Sequence, residues 1–394
     1  MQPTVAKRLQ HTEEYYFSRK LREIDDMNKA GARVINLGIG SPDLPPHPSV
    51  TAALTAHAAK TDTHAYQGYK GIPALRNAMA AWYGRFYGVA LNPDTEVLPL
   101  IGSKEGIMHI CMTFLQEGDE ALIPDPGYPT YRSAVQLSGA TPVTYTLSAD
   151  NDWQPDLAAL EQRDLSKVKL MWVNYPHMPT GSQAVAGTFE KLVAFATKHN
   201  ILLCHDNPYS FILNNAPASL MATPGAMEVA LELNSLSKSG NMAGWRVGML
   251  VGKAAFLNDV LRFKSNMDSG MFQPVQMAAV AALELGKDWY DGLNTIYRGR
   301  RNKVFELLDL IGCTYDRNQV GMFVWAQIPA GYADGFAVSD EVLQQAHVFI
   351  TPGGIFGENG KGYIRVSLCR DEQVFAEAID RVRTNIVERK KALV

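Results

Sequence analysis

Ser235-Leu236-Ser237-Lys238-Ser239-Gly240-Asn241-Met242-Ala243-Gly244-Trp245-Arg246 sets a lysine among hydroxyls, with an arginine eight residues on. A lysine amine is a useful nucleophile only when deprotonated, and hydroxyls plus a nearby cation favour that form. Once neutral, it condenses with an aldehyde. The hydroxyls of Ser235 and Ser237 and the fork of Arg246 suit a phosphate dianion. The ligand implied carries both a carbonyl and a phosphate. Two other readings fit the same segment. Ser235-x-x-Lys238 matches the Ser-x-x-Lys pattern of acyl-transferring serine enzymes, with Ser235 as nucleophile, although no Ser-Asp-Asn occurs and Lys238-Ser239-Gly240 is the same lysine again. The segment also reads as a solvated Ser/Gly loop with a surface lysine.

Outward from this segment, apolar runs stand on both sides: Leu231 to Ser235 before it and Val247 to Val251 after it. Further runs at Val97 to Ile101, Ala121 to Pro124, Val168 to Asn174 and Ile201 to Asp206 alternate with helical patterns at Glu105 to Gln116, Tyr131 to Gly139 and Glu190 to His199. Such alternation predicts an α/β fold with a mostly parallel, doubly wound sheet. Ligands of such sheets bind at the carboxyl ends of strands, where Ser103, Asp206 and Lys238 fall. Beyond Ala254 the pattern changes to long helices at Phe256 to Lys264, Pro274 to Leu285 and Trp289 to Ile311. Strands at Met322 to Ile328 and Tyr363 to Leu368 then flank helices near Asp340 to Ala346 and Gln373 to Lys390. The expected division is an N-terminal arm with part of a small domain (1–45), a large domain (46–285) and a smaller α+β domain (286–394). The arm carries a short strand at Val34 to Leu37 and packs on the small domain.

The chain has 394 residues, 46% hydrophobic and 20% charged, with a formal net charge of -3, so it can bury a large core and offers no basic field for nucleic acid. No apolar run approaches a membrane span, and the N-terminus is no secretory leader, which points to the cytoplasm and away from membranes. Cys111, Cys204, Cys313 and Cys369 lie far apart in mostly apolar segments, indicating neither a disulfide framework nor a Cys-x-x-Cys metal site.

Asp206-Asn207-Pro208-Tyr209 places a carboxylate at a strand end with a phenol three residues on. In isolation it also fits a turn cap. A carboxylate beneath a pyridine nitrogen keeps that nitrogen protonated, and a tyrosine hydroxyl bonds a phenolic ring oxygen. Gly102-Ser103-Lys104-Glu105-Gly106 opens a helix after another strand, a setting for an anion as well as for a simple N-cap. It matches neither a nucleotide P-loop nor a hydrolase elbow. Pro126-Gly127-Tyr128-Pro129-Thr130-Tyr131 offers an aromatic ring for packing or for stacking on a cofactor. The ligand with an aldehyde, a phosphate and a pyridine ring is pyridoxal 5'-phosphate.

Together these motifs resemble the fold-type I, class I and II family of pyridoxal-phosphate-dependent aminotransferases, from about Tyr15 to Arg383. The look is nearest to the alanine and LL-diaminopimelate subgroups, through Gly102 to Gly106 and Leu236 to Arg246. The resemblance implies Lys238 as the covalent anchor, Asp206 at the pyridine nitrogen, Tyr209 at the ring oxygen and Tyr128 stacked on the ring. It implies a phosphate cup of Ser103, Lys104 (mainly by its backbone), Ser235, Ser237 and Arg246. Arg365 matches the arginine for the substrate α-carboxylate, and Gly40 and Tyr15 lie where the arm nears the substrate. Tyr66 matches a residue reaching the phosphate of the neighbouring subunit, which implies a homodimer with shared sites. The implied reaction moves an amino group between an L-amino acid and a 2-oxo acid, 2-oxoglutarate or pyruvate; the alternative is a C-S β-lyase or another non-transaminating enzyme of the same fold, such as a decarboxylase.

One position departs from the family. Its Asn-Pro-Thr-Gly, whose asparagine donates to the ring oxygen, reads Met178-Pro179-Thr180-Gly181 here. A thioether is at best a weak acceptor. Asn174 and Asn207 are the candidates to supply the missing donor.

Overall fold

The computed structural model describes residues 3–10, 14 and 16–389. The strands, in chain order, are β1 (Ile35–Asn36), β2 (Val97–Leu100), β3 (Glu120–Asp125), β4 (Thr141–Thr146), β5 (Val168–Val173), β6 (Leu202–Asp206), β7 (Ala230–Ser235), β8 (Gly248–Gly252), β9 (Phe323–Gln327), β10 (Val348–Phe349), β11 (Thr351–Pro352) and β12 (Tyr363–Ser367). Seven form one sheet in the order β2-β8-β7-β6-β5-β3-β4. Only β8 runs antiparallel to its neighbours, β2 and β7, while β3 to β7 are parallel where they pair. The six apolar runs expected to be strands are all present. The edge strand β4 was not expected. Its sequence, Thr-Pro-Val-Thr-Tyr-Thr, is largely polar and half-exposed, because an edge strand buries little and tolerates a proline on its open side.

The antiparallel β8 is what brings the site together. Leu100, the last residue of β2, and Ser235, the last of β7, both stand opposite Gly248, the first of β8. The two strand ends that carry Ser103 and Lys238 are therefore separated by one strand. A Cβ at Gly248 would lie 2.7 Å from the Ser103 nitrogen, so only glycine permits this approach.

Both sheet faces are covered. Trp82, Tyr83, Leu192 and Phe195 belong to the core on one side, and Ile107, Ile110, Tyr131 and Val260 to the core on the other. A third core gathers Leu308, Val324, Phe375 and Ile379 around the antiparallel sheet β11-β12-β9. Leu37 joins this third core, and β1 pairs in parallel with β10, so the N-terminal segment packs on the C-terminal part as expected. The segment also forms the helix Tyr16–Lys29, which buries Phe17 and Ile24 and lies over the cavity described below. The last helix, Glu372–Val382, runs on into a π-helical stretch, Arg383–Glu388. Among the described residues no helix is long and apolar enough to cross a membrane.

Candidate active site

A cavity of about 430 Å³ opens where β2, β3, β6 and β7 end and faces β9 and β12. Lys238 stands in it, one turn into the short helix Leu236–Ser239 that follows β7. Ser235 caps that helix by accepting a hydrogen bond from the Ser237 N–H at 3.1 Å. The Lys238 Nζ donates to the Gly40 carbonyl at 2.6 Å. The packed surroundings hold its amine below the ordinary lysine range, with the positive charges of Arg365 and Arg246 acting in the same direction.

At one end of the cavity Ser103 opens the helix Ser103–Phe114, whose first N–H groups point along a positive dipole end. Ser235, Ser237, Lys104 and Arg246 line the same end. Arg246 donates to the Ser237 hydroxyl at 3.2 Å and to the Ala243 carbonyl at 2.8 Å. Gly102 has φ +84, and a Cβ there would meet the Arg246 guanidinium at 2.0 Å. Helix start, hydroxyls and guanidinium thus form a cradle that a single methyl group would fill.

Asp206, the last residue of β6, is buried in the cavity wall. Its Oδ2 accepts a hydrogen bond from Tyr131 at 2.8 Å, and its Oδ1 has no partner among the described residues. Burial lifts the carboxyl from its ordinary value to about 6, with the Tyr131 bond and the charges of His205 and Lys238 acting the other way. Tyr131 is itself fixed by stacking on Trp172, with ring centroids 5.1 Å apart. Tyr128 begins the same helix, Pro129–Leu137, and lines the cavity with its ring at right angles to Tyr131. Tyr209 lies across from them, buried, its hydroxyl pushed far above the ordinary phenol range by burial.

At the far end Arg365, on β12, is buried between rings: its guanidinium lies 3.9 Å from the Phe323 centroid and 4.7 Å from that of Phe356. Its Nη2 donates to the Gly38 carbonyl at 2.8 Å, and its Nη1 lies 3.2 Å from the Met178 sulfur. Gly40 packs so closely that a Cβ would meet Phe323 at 2.2 Å.

These residues fit pyridoxal phosphate. An open carboxylate oxygen suits a protonated ring nitrogen, the glycine-lined cradle suits a phosphate, and an amine held below the ordinary lysine range suits an aldehyde. Of the residues expected at the site, Ser103, Lys104, Tyr128, Asp206, Tyr209, Ser235, Ser237, Lys238, Arg246, Arg365 and Gly40 all line one cavity. Tyr66 does not: it is 93% exposed and outside the cavity lining. Tyr15 lies outside the described residues. The expected substitutes for the missing amide donor are both engaged elsewhere. Asn174 donates to the Asp206 carbonyl and accepts from the Met178 N–H, and Asn207 donates to the Ala218 carbonyl at 2.9 Å. The role of Tyr131 was missed in the sequence, although its spacing of three from Tyr128 places both on one helix face. Phe17, Leu21, Ile39, Phe323 and Phe356, which line the far wall, gave no sequence signal, because apolar residues there read as ordinary core.

Residues 32–382 match the family model for aminotransferase class I and II. An LL-diaminopimelate aminotransferase of Dehalococcoides mccartyi is 43% identical over 373 residues, 94% of this chain and 96% of the relative. One from Oleidesulfovibrio alaskensis is 42% identical over 96% of this chain and 98% of the relative. Among solved structures, apo-BacF from Bacillus subtilis superimposes with a TM-score of 0.94 at 36% identity, covering 98% of this chain and 99% of that one. A probable N-succinyldiaminopimelate aminotransferase from Thermus thermophilus superimposes at 0.87 with 32% identity, covering 94% of this chain and 100% of that one. With this fold and these relatives, the chain belongs to the class I and II aminotransferases, pyridoxal-phosphate-dependent enzymes of fold-type I.

Proposed function

We propose that this aminotransferase works through Lys238, Asp206 and Arg365, moving the amino group of an L-amino acid to a 2-oxo acid in two half-reactions of a ping-pong cycle. The observation that carries the reading is the convergence of these three residues on one cavity, with the Asp206 Oδ1 left open. Pyridoxal phosphate, when bound, supplies the aldehyde that receives the amino group and a ring that draws electrons from the substrate α-carbon. The rest falls to the protein. Ser103, the Lys104 backbone, Ser235, Ser237 and Arg246 hold the phosphate. Asp206 holds a proton on the ring nitrogen, and Tyr131 holds Asp206. Tyr128 covers one ring face, and Tyr209 directs its hydroxyl to the ring oxygen. Arg365 orients the substrate by its α-carboxylate, and Gly40 leaves room for it. The Lys238 Nζ would anchor the cofactor and, once displaced by substrate, would take the proton from the α-carbon and return it to the carbon on the far side of the transferred nitrogen, two bonds away. An amine held below its ordinary pKa suits that exchange. Lys238→Ala should abolish steady-state turnover, a loss of at least about 10²–10⁴-fold. Substantial remaining activity would overturn the assignment.

The wider assignments belong to the same proposal. Exposed Tyr66, Tyr69, Met267 and Phe272 on two touching loops support a homodimer in which Tyr66 reaches the partner's site. Four buried, unpaired cysteines support a cytoplasmic setting. The core around β9 and β12, which takes in Ile35 and Leu37 of the N-terminal segment, supports a division near residues 45 and 285. LL-diaminopimelate, named for the curated relatives, is one donor to test, with 2-oxoglutarate and pyruvate as acceptors.

A further inference from the structure

We infer that the substrate side chain enters an apolar subsite, and that the preferred substrates are neutral apolar 2-amino acids, aliphatic or aromatic, with monocarboxylic 2-oxo acids as acceptors. The inference rests on the assignment of the α-carboxylate to Arg365. Five charged side chains line the cavity, and all five are already engaged. Lys104 and Arg246 stand at the phosphate end, Asp206 at the ring, Lys238 at the reacting atoms and Arg365 at the α-carboxylate. Among the described lining residues no further cation remains for a second carboxylate, and no further acid for a distal ammonium.

Apart from the Gly38 carbonyl that its Nη2 bonds, Arg365 is flanked by rings and a thioether. Phe323 and Phe356 cover the guanidinium, and the Met178 thioether stands 3.2 Å from its Nη1. Phe17, Leu21 and Ile39 extend this wall toward the opening. Phe17, Phe323 and Phe356 are 5–7% exposed, whereas Leu21 is 42% exposed and marks the rim. Ser18, on the same helix, adds a neutral hydroxyl. A partner subunit would not alter the balance. The loops proposed to reach its site present Tyr66, Tyr69, Met267 and Phe272, their Asp268 is paired with Lys264 at 2.7 Å, and Lys70 turns back to the Asp94 carbonyl at 3.5 Å.

An unpaired charge placed against such a wall loses its hydration without return, while each buried methylene favours binding by about fourfold. The same cavity receives both substrates of a ping-pong cycle, so the preference applies to donor and acceptor alike.

The test uses the holoenzyme and carboxylates that carry no amino group and so cannot react. Titration calorimetry should show 3-phenylpropanoate and 4-methylpentanoate binding at least about tenfold more tightly than glutarate. Glutarate binding as tightly as either overturns the inference. In turnover, leucine, methionine or phenylalanine should exceed glutamate and LL-diaminopimelate in kcat/KM, and pyruvate should exceed 2-oxoglutarate; the reverse order overturns it. Leu21→Arg, at an exposed rim position, should raise glutarate affinity about tenfold and weaken that of 3-phenylpropanoate, as a new ion pair at a partly desolvated site does. Unchanged affinities for both would show that the side chain lies elsewhere. Carboxylates binding in the expected order, with no 2-oxo acid released from any amino acid, would count against the catalytic assignments and leave the apolar subsite standing.

Discussion

Asp206 ends β6 with one oxygen bonded to Tyr131 and one without a partner among the described residues, and burial raises its carboxyl to about 6. Its folded-state pKa is above the unfolded value, so the folded chain binds that proton more tightly. The stability this brings is complete below about pH 4 and is lost as pH rises through about 6. In the cofactor-free protein, Asp206→Asn should therefore remove a fall of up to about 3 kcal/mol between pH 4 and pH 7, read by denaturant unfolding at both pH values. A parent protein with no such fall would remove the argument. The same substitution should weaken cofactor binding, since the open oxygen is the one left to accept a hydrogen bond from the ring nitrogen. Met178 poses the complementary case of a donor that is missing. Met178→Asn should lower the midpoint of the pH-dependent absorbance change of the Lys238-bound chromophore by roughly one to two units, the worth of a hydrogen bond to a charged oxygen. An unchanged or raised midpoint would count against it. Lys238, Asp206 and Arg365 were legible in the sequence because chemistry restricts which residue types can serve. Tyr131 was not, because a buried tyrosine has the same sequence signature whether its hydroxyl bonds a carboxylate or a carbonyl.

At the scale of elements, the phosphate end of the cavity is made by backbone more than by side chains. Gly102 turns the chain from β2 into its helix with φ +84, and Glu105, one turn on, accepts the Ile101 N–H at 2.5 Å and fixes that turn. Gly102→Ala should cost about 1–3 kcal/mol by backbone conformation alone, because φ +84 with ψ 154 is a region essentially confined to glycine. Its methyl group would also displace Arg246, so cofactor affinity should fall by at least as large a factor, measured by equilibrium dialysis; unchanged affinity would show that the cradle lies elsewhere. Central strands such as β5, Val-Lys-Leu-Met-Trp-Val, were readable because burial on both faces demands an apolar run. β4 was not, since its neighbour β3 supplies the pairing and little of it needs to be apolar. The direction of β8 was also hidden: an apolar strand of five residues reads alike in either direction.

At the scale of the molecule, one chain leaves part of its apolar surface unexplained. Tyr66, Met267 and Phe272 are 93%, 52% and 42% exposed, on loops so close that a Cβ at Gly270 would touch the Gln67 carbonyl. Tyr66→Asp combined with Phe272→Asp should shift sedimentation toward the monomer and weaken cofactor retention by about tenfold or more, the worth of a charge-assisted hydrogen bond. A double variant that remains dimeric and keeps its cofactor would exclude these loops from the interface. The pairing of β2 has a consequence of another kind. Val97 finds its partner at Val251, and Gly248 separates the two strand ends that carry Ser103 and Lys238. A chain still being synthesised has no phosphate cradle until Gly252 has left the ribosome and folded back, and no arginine for substrate until Arg365 follows. Translation products truncated before β8 would lack the strand that sets these two ends side by side, so cofactor capture requires the chain at least as far as Gly252.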